Sequence, residues 1–540
     1  MQEHLANPAI ADRLESFAAL LELAGASHYS ARAYRRAAEL IRSTDAPIAD
    51  LVRNGRVREL RGIGAGIEAR LVELVETGSI EEAEELERTV SPELIGVGRY
   101  LGFGPRTAIE IAQTLGIRTA AELREAAAAG RLREVPGIGP KTERKLLEAL
   151  AADAAPAQRP AMLLNRARAL LQSIAGALGG EIAGDPRRWR DENHDLAVVV
   201  AAEEPAPILE RFAALAEIVA VVEREDDRAV GITVDGTPVT CVAAASRRFG
   251  TELLRATGST PYVDALEPLP EATDEEGVYR ALGIPWCPPE LREAPFRDDP
   301  PPLLERSDIR GDLHAHTTAS DGRATVREMA EAAMALGHEY LAICDHTTNV
   351  GVVPGLDADA VRRQSEEIAA VNEQVAPFRV LRGIECDILP DGRLDLPDDV
   401  LSELEWVQAS VHAGQRTPRR ALTDRVLEAM RHPTVRCLSH PKGRMINRRP
   451  ENALDLEEVY ALALETGIAM EVNGLPDRLD LRAEHVRDAI RAGVKIVCST
   501  DAHSVAGLGN IGLSVATARR GWARATDVLN TRPWDEIARR

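Results

Sequence analysis

Apolar positions recur at intervals of three and four through residues 10–25 and 30–43, a spacing that predicts amphipathic helices. The same period, broken by short glycine-rich stretches, continues to residue 152, so this region is expected to be almost wholly helical. An Ala- and Pro-rich stretch at 153–160 reads as a linker. Beyond it the pattern is mixed: a helix over 162–178 precedes strand-like apolar runs at 194–202 and 229–234. Residues 297–307, charged and proline-rich, read as a second linker. From 308 onward short apolar runs alternate with helical stretches such as 325–337 and 454–467. The runs at 309–316, 340–346, 379–388, 406–412, 436–441, 469–474 and 495–503 are the expected strands. Repeated βα units predict a parallel sheet or barrel. In such barrels the chemistry gathers at the C-terminal ends of the strands.

Composition changes this picture in three ways. Aromatic residues are only 3% of the 540-residue chain, so the cores must be built from Ala, Leu, Val and Ile. Its length calls for two to four domains. No apolar run is long enough for a membrane helix, and the first ten residues lack the basic head and apolar body of a secretory signal. A soluble, cytoplasmic chain without a membrane partner is expected, and it is read as a monomer. The six cysteines are scattered without a CxxC pair, which suits buried reduced thiols. The formal net charge of −21 opposes nonspecific binding to nucleic acid. Carboxylates that hold metals weaken that objection, and so do helix N-termini, which bind phosphate through backbone N–H groups.

The candidate chemistry lies at the strand ends of the C-terminal region. His314 and His316 alternate along one strand and therefore share a face. Asp321 follows in a Ser-Asp-Gly turn, and His346 ends the second strand. Glu385, His412 and His440 occupy later strand ends, and Asp501 and His503 close the last as Asp-Ala-His. Six of the chain's 12 histidines belong to this set. Imidazole and carboxylate donors without thiolate suit manganese, zinc or iron. Clustered metals of this kind activate a water for attack on phosphorus and neutralise phosphate oxygens, so all nine residues count as catalytic as well as ligating. Lys442, Arg444 and Arg416 follow ligand strands and are candidates for phosphate contact.

Residues 308–540 resemble the polymerase-and-histidinol-phosphatase (PHP) domain, a distorted seven-stranded barrel with a trinuclear metal site. The resemblance implies one metal held by His314, His316, Glu385 and Asp501. It implies a second, bridged by Glu385 and held by His412 and His440, and a third held by Asp321, His346 and His503.

Three Gly-hydrophobic-Gly turns stand between helices in the first region: Gly62-Ile63-Gly64 with Gly66 following, Gly102-Phe103-Gly104, and Gly137-Ile138-Gly139 with Lys141 following. Glycine permits the tight turn, and the next helix N-terminus can receive a phosphate. These resemble helix-hairpin-helix motifs, which bind the DNA backbone without reading sequence. Arg61 stands where that motif usually has proline.

The order of parts is similar to the bacterial and archaeal family X DNA polymerases with a C-terminal PHP domain. The resemblance implies four parts: a lyase-like helical domain over 1–90, helix-hairpin-helix fingers over 91–152, an α+β nucleotidyltransferase-like palm with a thumb remnant over 161–296, and the PHP phosphoesterase over 308–540. That family's palm needs a Gly-Ser and three aspartates to hold two magnesium ions. Here Asp185 stands in place of the serine, Asp195 keeps the first carboxylate, Ala197 replaces the second and Thr240 the third. The lyase reaction needs a lysine. Arg70 stands at that position, and residues 1–140 contain no lysine. The expected activity is therefore a DNA-binding, metal-dependent 3′–5′ exonuclease of DNA repair with a silent or very weak palm. The alternatives are an active gap-filling polymerase with PHP proofreading, and a small-molecule phosphomonoesterase of the histidinol-phosphatase type.

Overall fold

The structure, a computed structural model, describes residues 7–23, 28–42, 48–60, 62–89, 92–100, 102, 105–141, 143–144, 160–350 and 354–539. Two compact units emerge from the chain's contacts. The first comprises Met1–Met162, Arg166–Arg187 and Asn193–Ile284, and the second Leu163–Asn165, Arg188–Glu192 and Pro285–Arg540.

The first unit begins with helices Asn7–Leu23, His28–Arg42, Ile48–Arg53 and Ala65–Thr77. Their apolar faces meet in one core built on Leu14, Phe17, Ile41, Val52 and Leu71. A second helical core, from Leu94, Ile111, Leu123 and Leu132, also takes in Ala220 and Ile232 of the sheet that follows. That sheet has strands β1 (Glu181–Gly184), β2 (Leu196–Ala201), β3 (Ala220–Arg224), β4 (Arg228–Ile232) and β5 (Pro238–Ala244). They lie in the order β1-β2-β5-β4-β3. β2 and β5 run parallel, which sets Ala197 opposite Thr240. Helix Leu164–Leu178 covers the sheet through Ala167, Leu171 and Ile174.

The second unit is a seven-stranded parallel barrel. Its strands are β6 (Gly311–Ala315), β7 (Tyr340–Ile343), β8 (Arg379–Asp387), β9 (Trp406–Ser410), β10 (Val435–Leu438), β11 (Ala469–Asn473) and β12 (Ile496–Ser499). They pair in sequence order, every pair parallel. Past the end of β12 the backbone turns back on β6: the His316 N–H donates to the Ala502 carbonyl at 2.8 Å, nearly closing the barrel. All seven expected strands are present. β6, β7, β9, β11 and β12 are buried at every position, as befits strands covered on both faces. Helix starts follow local chemistry: Thr325 and Glu328 form a reciprocal cap, and Asp357 caps the long helix Ala358–Val375.

Residues 285–307 differ from their expected place at the end of the palm and in a linker. They join the barrel unit. Leu304 is fully buried in the barrel core, and its N–H donates to the Ala523 carbonyl at 2.8 Å. Arg519 reaches Glu290 at 2.9 Å. A charged, proline-rich composition looks like a linker, yet a few anchored residues suffice to fix such a segment. All six cysteines are buried and unbridged.

Candidate metal centre and its companion sites

All nine expected ligands converge at one end of the barrel. Glu385, at the end of β8, stands at the middle. Its Oε1 faces His440 Nε2 at 2.8 Å and His412 Nε2 at 3.4 Å. Its Oε2 faces His346 Nδ1 at 3.0 Å and His314 Nε2 at 3.5 Å. Asp501 Oδ1 lies 3.0 Å from His316 Nε2. Asp321 Oδ2 lies 3.3 Å from His503 Nε2, and its Oδ1 lies 3.6 Å from His346 Nε2. Ligand atoms fall into three overlapping groups: His316, Asp321, His346 and His503; His314, His316 and Asp501; and His346, Glu385 and His412. His316 and His346 each belong to two groups, a sharing that the resemblance did not include. His440 and Asp501 have positive φ, 24° and 54°. Backbone so placed for non-glycine residues is held by its surroundings and is frequent at functional sites.

The donor set fits divalent metal. His316 Nδ1, His346 Nδ1, His440 Nδ1 and Glu385 Oε2 are buried without a hydrogen-bond partner. Such atoms are costly unless a cation engages them. Charge agrees. Burial alone would raise the Glu385 carboxyl, but the ring of His412, His314, His346 and His440 holds it well below the usual range. Burial opposes protonation of His412 as well, yet Glu385 and Asp387 lift it to about 9. His316 goes the other way, to about 4, because burial and neighbouring His503 both disfavour its charge. The site is a buried nest of carboxylates and imidazoles whose charges are strongly linked.

Fully buried residues that the strand-end pattern did not single out aim these ligands. Glu471 on β11 accepts from His314 Nδ1 at 2.6 Å, from the His440 N–H at 2.6 Å and from Ser499 Oγ at 2.6 Å. Asp387 accepts from the His412 ring at 3.3 Å and the Asn349 side chain. Asp345 accepts from the Thr317 N–H at 2.8 Å and from Gln364 at 2.6 Å, fixing the turn that carries Asp321. Carboxylates in this position set the tautomer and raise the basicity of a ligating imidazole. For Glu471 and Asp387, a carboxylate within a largely apolar run is the signal that finds them.

Two of the three candidate phosphate cations are placed otherwise than expected. Lys442 is buried, donates to the Leu454 carbonyl at 3.0 Å, and is pushed below its usual pKa by burial. Arg444 is buried too, and its fork is consumed by Asp191 at 2.6 Å and by the carbonyls of Arg478 and Leu479, both at 2.7 Å. Both are engaged by groups within the protein. Arg416 is exposed. A cation outside the expected set stands beside the ligands: Arg478 Nε lies 3.8 Å from Asp501 Oδ2.

In the first unit, two of the three glycine turns share one geometry. The Ile63 N–H donates to the Leu60 carbonyl and the Ile138 N–H to the Val135 carbonyl, both at 3.1 Å. Ile63 and Ile138 are buried, while Gly62, Gly64, Gly66, Gly137, Gly139 and Lys141 are exposed. Gly62 and Gly137 take φ of 115° and 84°, values that favour glycine. Gly102 has φ 81° ahead of helix Pro105–Leu115, and Gly104 lies outside the described residues.

In the sheet of the first unit, Asp185 is buried and its Oδ2 accepts from the N–H groups of His194 and Asp195, at 2.8 and 2.9 Å. Gly184, at φ 74°, lets that turn close: a Cβ there would meet the Asp195 carbonyl at 2.2 Å. Asp195 is exposed, and Ala197 and Thr240 face each other across β2 and β5. Arg70 pairs with Glu73 at 2.9 Å and with Glu82. Among the described residues no helix is long and apolar enough to cross a membrane.

Comparison with known proteins agrees with this arrangement. The helix-hairpin-helix domain family matches residues 5–80, the SAM-like helix-hairpin-helix tandem matches 92–152, and the PHP domain matches 312–474. The DNA polymerase/3'-5' exonuclease PolX of Bacillus subtilis (strain 168) is 33% identical over 97% of this chain and 97% of its own length. A probable phosphatase of Acetivibrio thermocellus is 31% identical over 36% of this chain and 78% of its own. Another, of Photobacterium profundum, is 29% identical over 37% of this chain and 80% of its own.

Proposed function

Because the chain belongs to the PolX family of family X DNA polymerase/3′–5′ exonucleases, we propose that it is a DNA-binding, metal-dependent phosphoesterase that trims DNA from 3′ ends during repair, with a palm that no longer transfers nucleotides. The observation that carries the reading is the contrast between two sites in one chain. Nine donors, Glu385 among them, converge at one end of the barrel, whereas the palm presents Ala197 opposite Thr240. A lone carboxylate at Asp195 cannot cradle two magnesium ions around a triphosphate. Asp185 adds to this, since its carboxylate already occupies the N–H groups of His194 and Asp195.

In the phosphoesterase site, two to three divalent ions (manganese, zinc or iron) would be held by His314, His316, Asp321, His346, Glu385, His412, His440, Asp501 and His503. Such ions supply an activated water and neutralise phosphate oxygens. The chain's part is to hold the ligands still: Glu471 fixes the His314 ring, Asp387 the His412 ring, and Asp345 the loop of Asp321. The exposed turns at Gly62–Gly66, Gly102 and Gly137–Lys141 lead into helix starts whose backbone N–H groups would receive DNA phosphates. This accommodates the net charge of −21, because such binding needs few cationic side chains. We place the protein in the cytoplasm, where DNA is its substrate.

The test is a 5′-labelled primer on a gapped template with manganese, with and without deoxynucleotides, comparing wild type with His346→Ala. A ladder of shortened products, lost in the variant, is expected. Extended products overturn the reading of Ala197 and Thr240. DNA left unchanged, alongside release of phosphate from a small monoester, turns the assignment toward the activity that the phosphatase relatives' names describe.

A further inference from the structure

Arg478 sits in the loop that follows β11, near the metal ligands yet outside them. Its Nε is 3.8 Å from Asp501 Oδ2, too far for a hydrogen bond. Asp501 Oδ2 already accepts from Asn473 Nδ2 at 2.9 Å. Among the described residues no hydrogen bond engages the Arg478 guanidinium, which retains a small exposed surface. A guanidinium offers five donors in a rigid fork matched to two phosphate oxygens.

The loop beneath it is held tightly. The Arg478 and Leu479 N–H groups donate to the Leu475 carbonyl at 2.9 and 3.0 Å. Leu479 has φ 45° and a fully buried side chain packed with Leu164 and Leu513. A left-handed leucine persists only when its surroundings fix it. Arg444 provides that fixing by donating to the carbonyls of Arg478 and Leu479, and Asp191 anchors Arg444. Asp191 also lies 3.5 Å from Arg520. It belongs to Arg188–Glu192, five residues from within the palm's stretch of sequence that form part of the barrel unit.

We propose that Arg478 is the cation that grips the substrate phosphate at this site, and that Asp191 and Arg444 are positioning residues acting through it. The inference rests on the phosphoesterase reading and names the group that recognises its substrate. A phosphate presenting two oxygens beside Asp501 would match the guanidinium fork.

The full-length protein is compared with Arg478→Gln, Asp191→Asn, Asp191→Glu and the Asp191→Asn/Arg478→Gln pair. Metal content, binding of inorganic phosphate, and KM and kcat on a labelled oligonucleotide are measured separately. Arg478→Gln is expected to weaken phosphate binding and raise KM by about ten- to a hundredfold, the scale of a lost charge-assisted pair, with metal content unchanged. Asp191→Asn should move the same quantities in the same direction, Asp191→Glu should restore part of the loss, and the pair should be no worse than Arg478→Gln alone. Loss of metal in Arg478→Gln, or unchanged phosphate affinity, overturns the assignment by reducing Arg478 to a partner of Asp501. Unchanged phosphate affinity in both Asp191 variants overturns the positioning role. Phosphate binding through Arg478 in a chain that leaves DNA intact supports the inference while overturning the exonuclease reading.

Discussion

Glu471 shows how much of the candidate metal centre would depend on a residue outside the nine donors. Its carboxylate binds the His314 ring, the His440 backbone and Ser499, so it sets two of the nine donors at once. Glu471→Gln keeps the shape but removes the charge that fixes the His314 tautomer. Metal affinity should fall by about ten- to a hundredfold, read by competition with a chelating dye. Asp191 invites a different measurement. Burial works against its ionisation, but Arg444 and Arg520 hold its pKa down to about 2. An unfolded aspartate binds its proton near 4. Between those values the unfolded chain holds more protons, so stability is present above the window and is lost as pH falls through it. The contribution is roughly 2 kcal/mol. Denaturant titrations from pH 5 to pH 2, with chelator present throughout, should show that slope in wild type and a shallower one in Asp191→Asn. At this scale the sequence was uneven in what it revealed. The convergence of the strand-end donors was legible because the βα rhythm fixes where strands stop. The partners of Arg444 were not legible because four residues of separation from His440 say nothing about where a guanidinium turns. Arg478 went unseen because it lies five residues past the last position of β11, in a loop whose path depends on contacts far along the chain.

Elements tell a similar story of local signals with tertiary completion. The seven parallel strands follow from apolar runs alone, whereas β1 of the palm sheet, Glu-Ile-Ala-Gly, is too short and too weakly apolar to stand out. The glycine turns were legible because φ of 115° at Gly62 and 84° at Gly137 leave glycine as the residue that fits without strain. Alanine at such a position costs roughly 1–2 kcal/mol. The Gly62→Ala/Gly137→Ala variant is expected to bind oligonucleotide more weakly by on the order of tenfold. Its hydrolysis of para-nitrophenyl phosphate should equal that of wild type, since neither turn belongs to the barrel unit. Gel-shift titration and a colorimetric assay on the same preparation separate the two effects, and parallel losses would count against a DNA role for the turns.

For the whole molecule, the acidic balance and the binding mode make a joint prediction. Counterion release scales with the number of phosphates neutralised by lysine and arginine. A chain of net charge −21 that grips DNA through helix N-termini should show a shallow dependence of log affinity on log salt, with a slope on the order of −2. A slope several times steeper would point to a basic surface instead. Domain order was legible from composition and period, but the limits of the barrel unit were not. Proline-rich residues 297–307 read as a spacer, although Leu304 is in the core. The insertions Leu163–Asn165 and Arg188–Glu192 left no compositional mark at all.

Those insertions bear on how such a gene can shrink. No single truncation point releases the barrel unit whole: a deletion that begins ahead of Arg188 and ends at Pro285 takes Asp191 with it and strands Arg444 without its carboxylate. A palm without chemistry of its own would thereby be shielded from removal, because Leu163–Asn165 and Arg188–Glu192 from its stretch of sequence belong to the barrel unit.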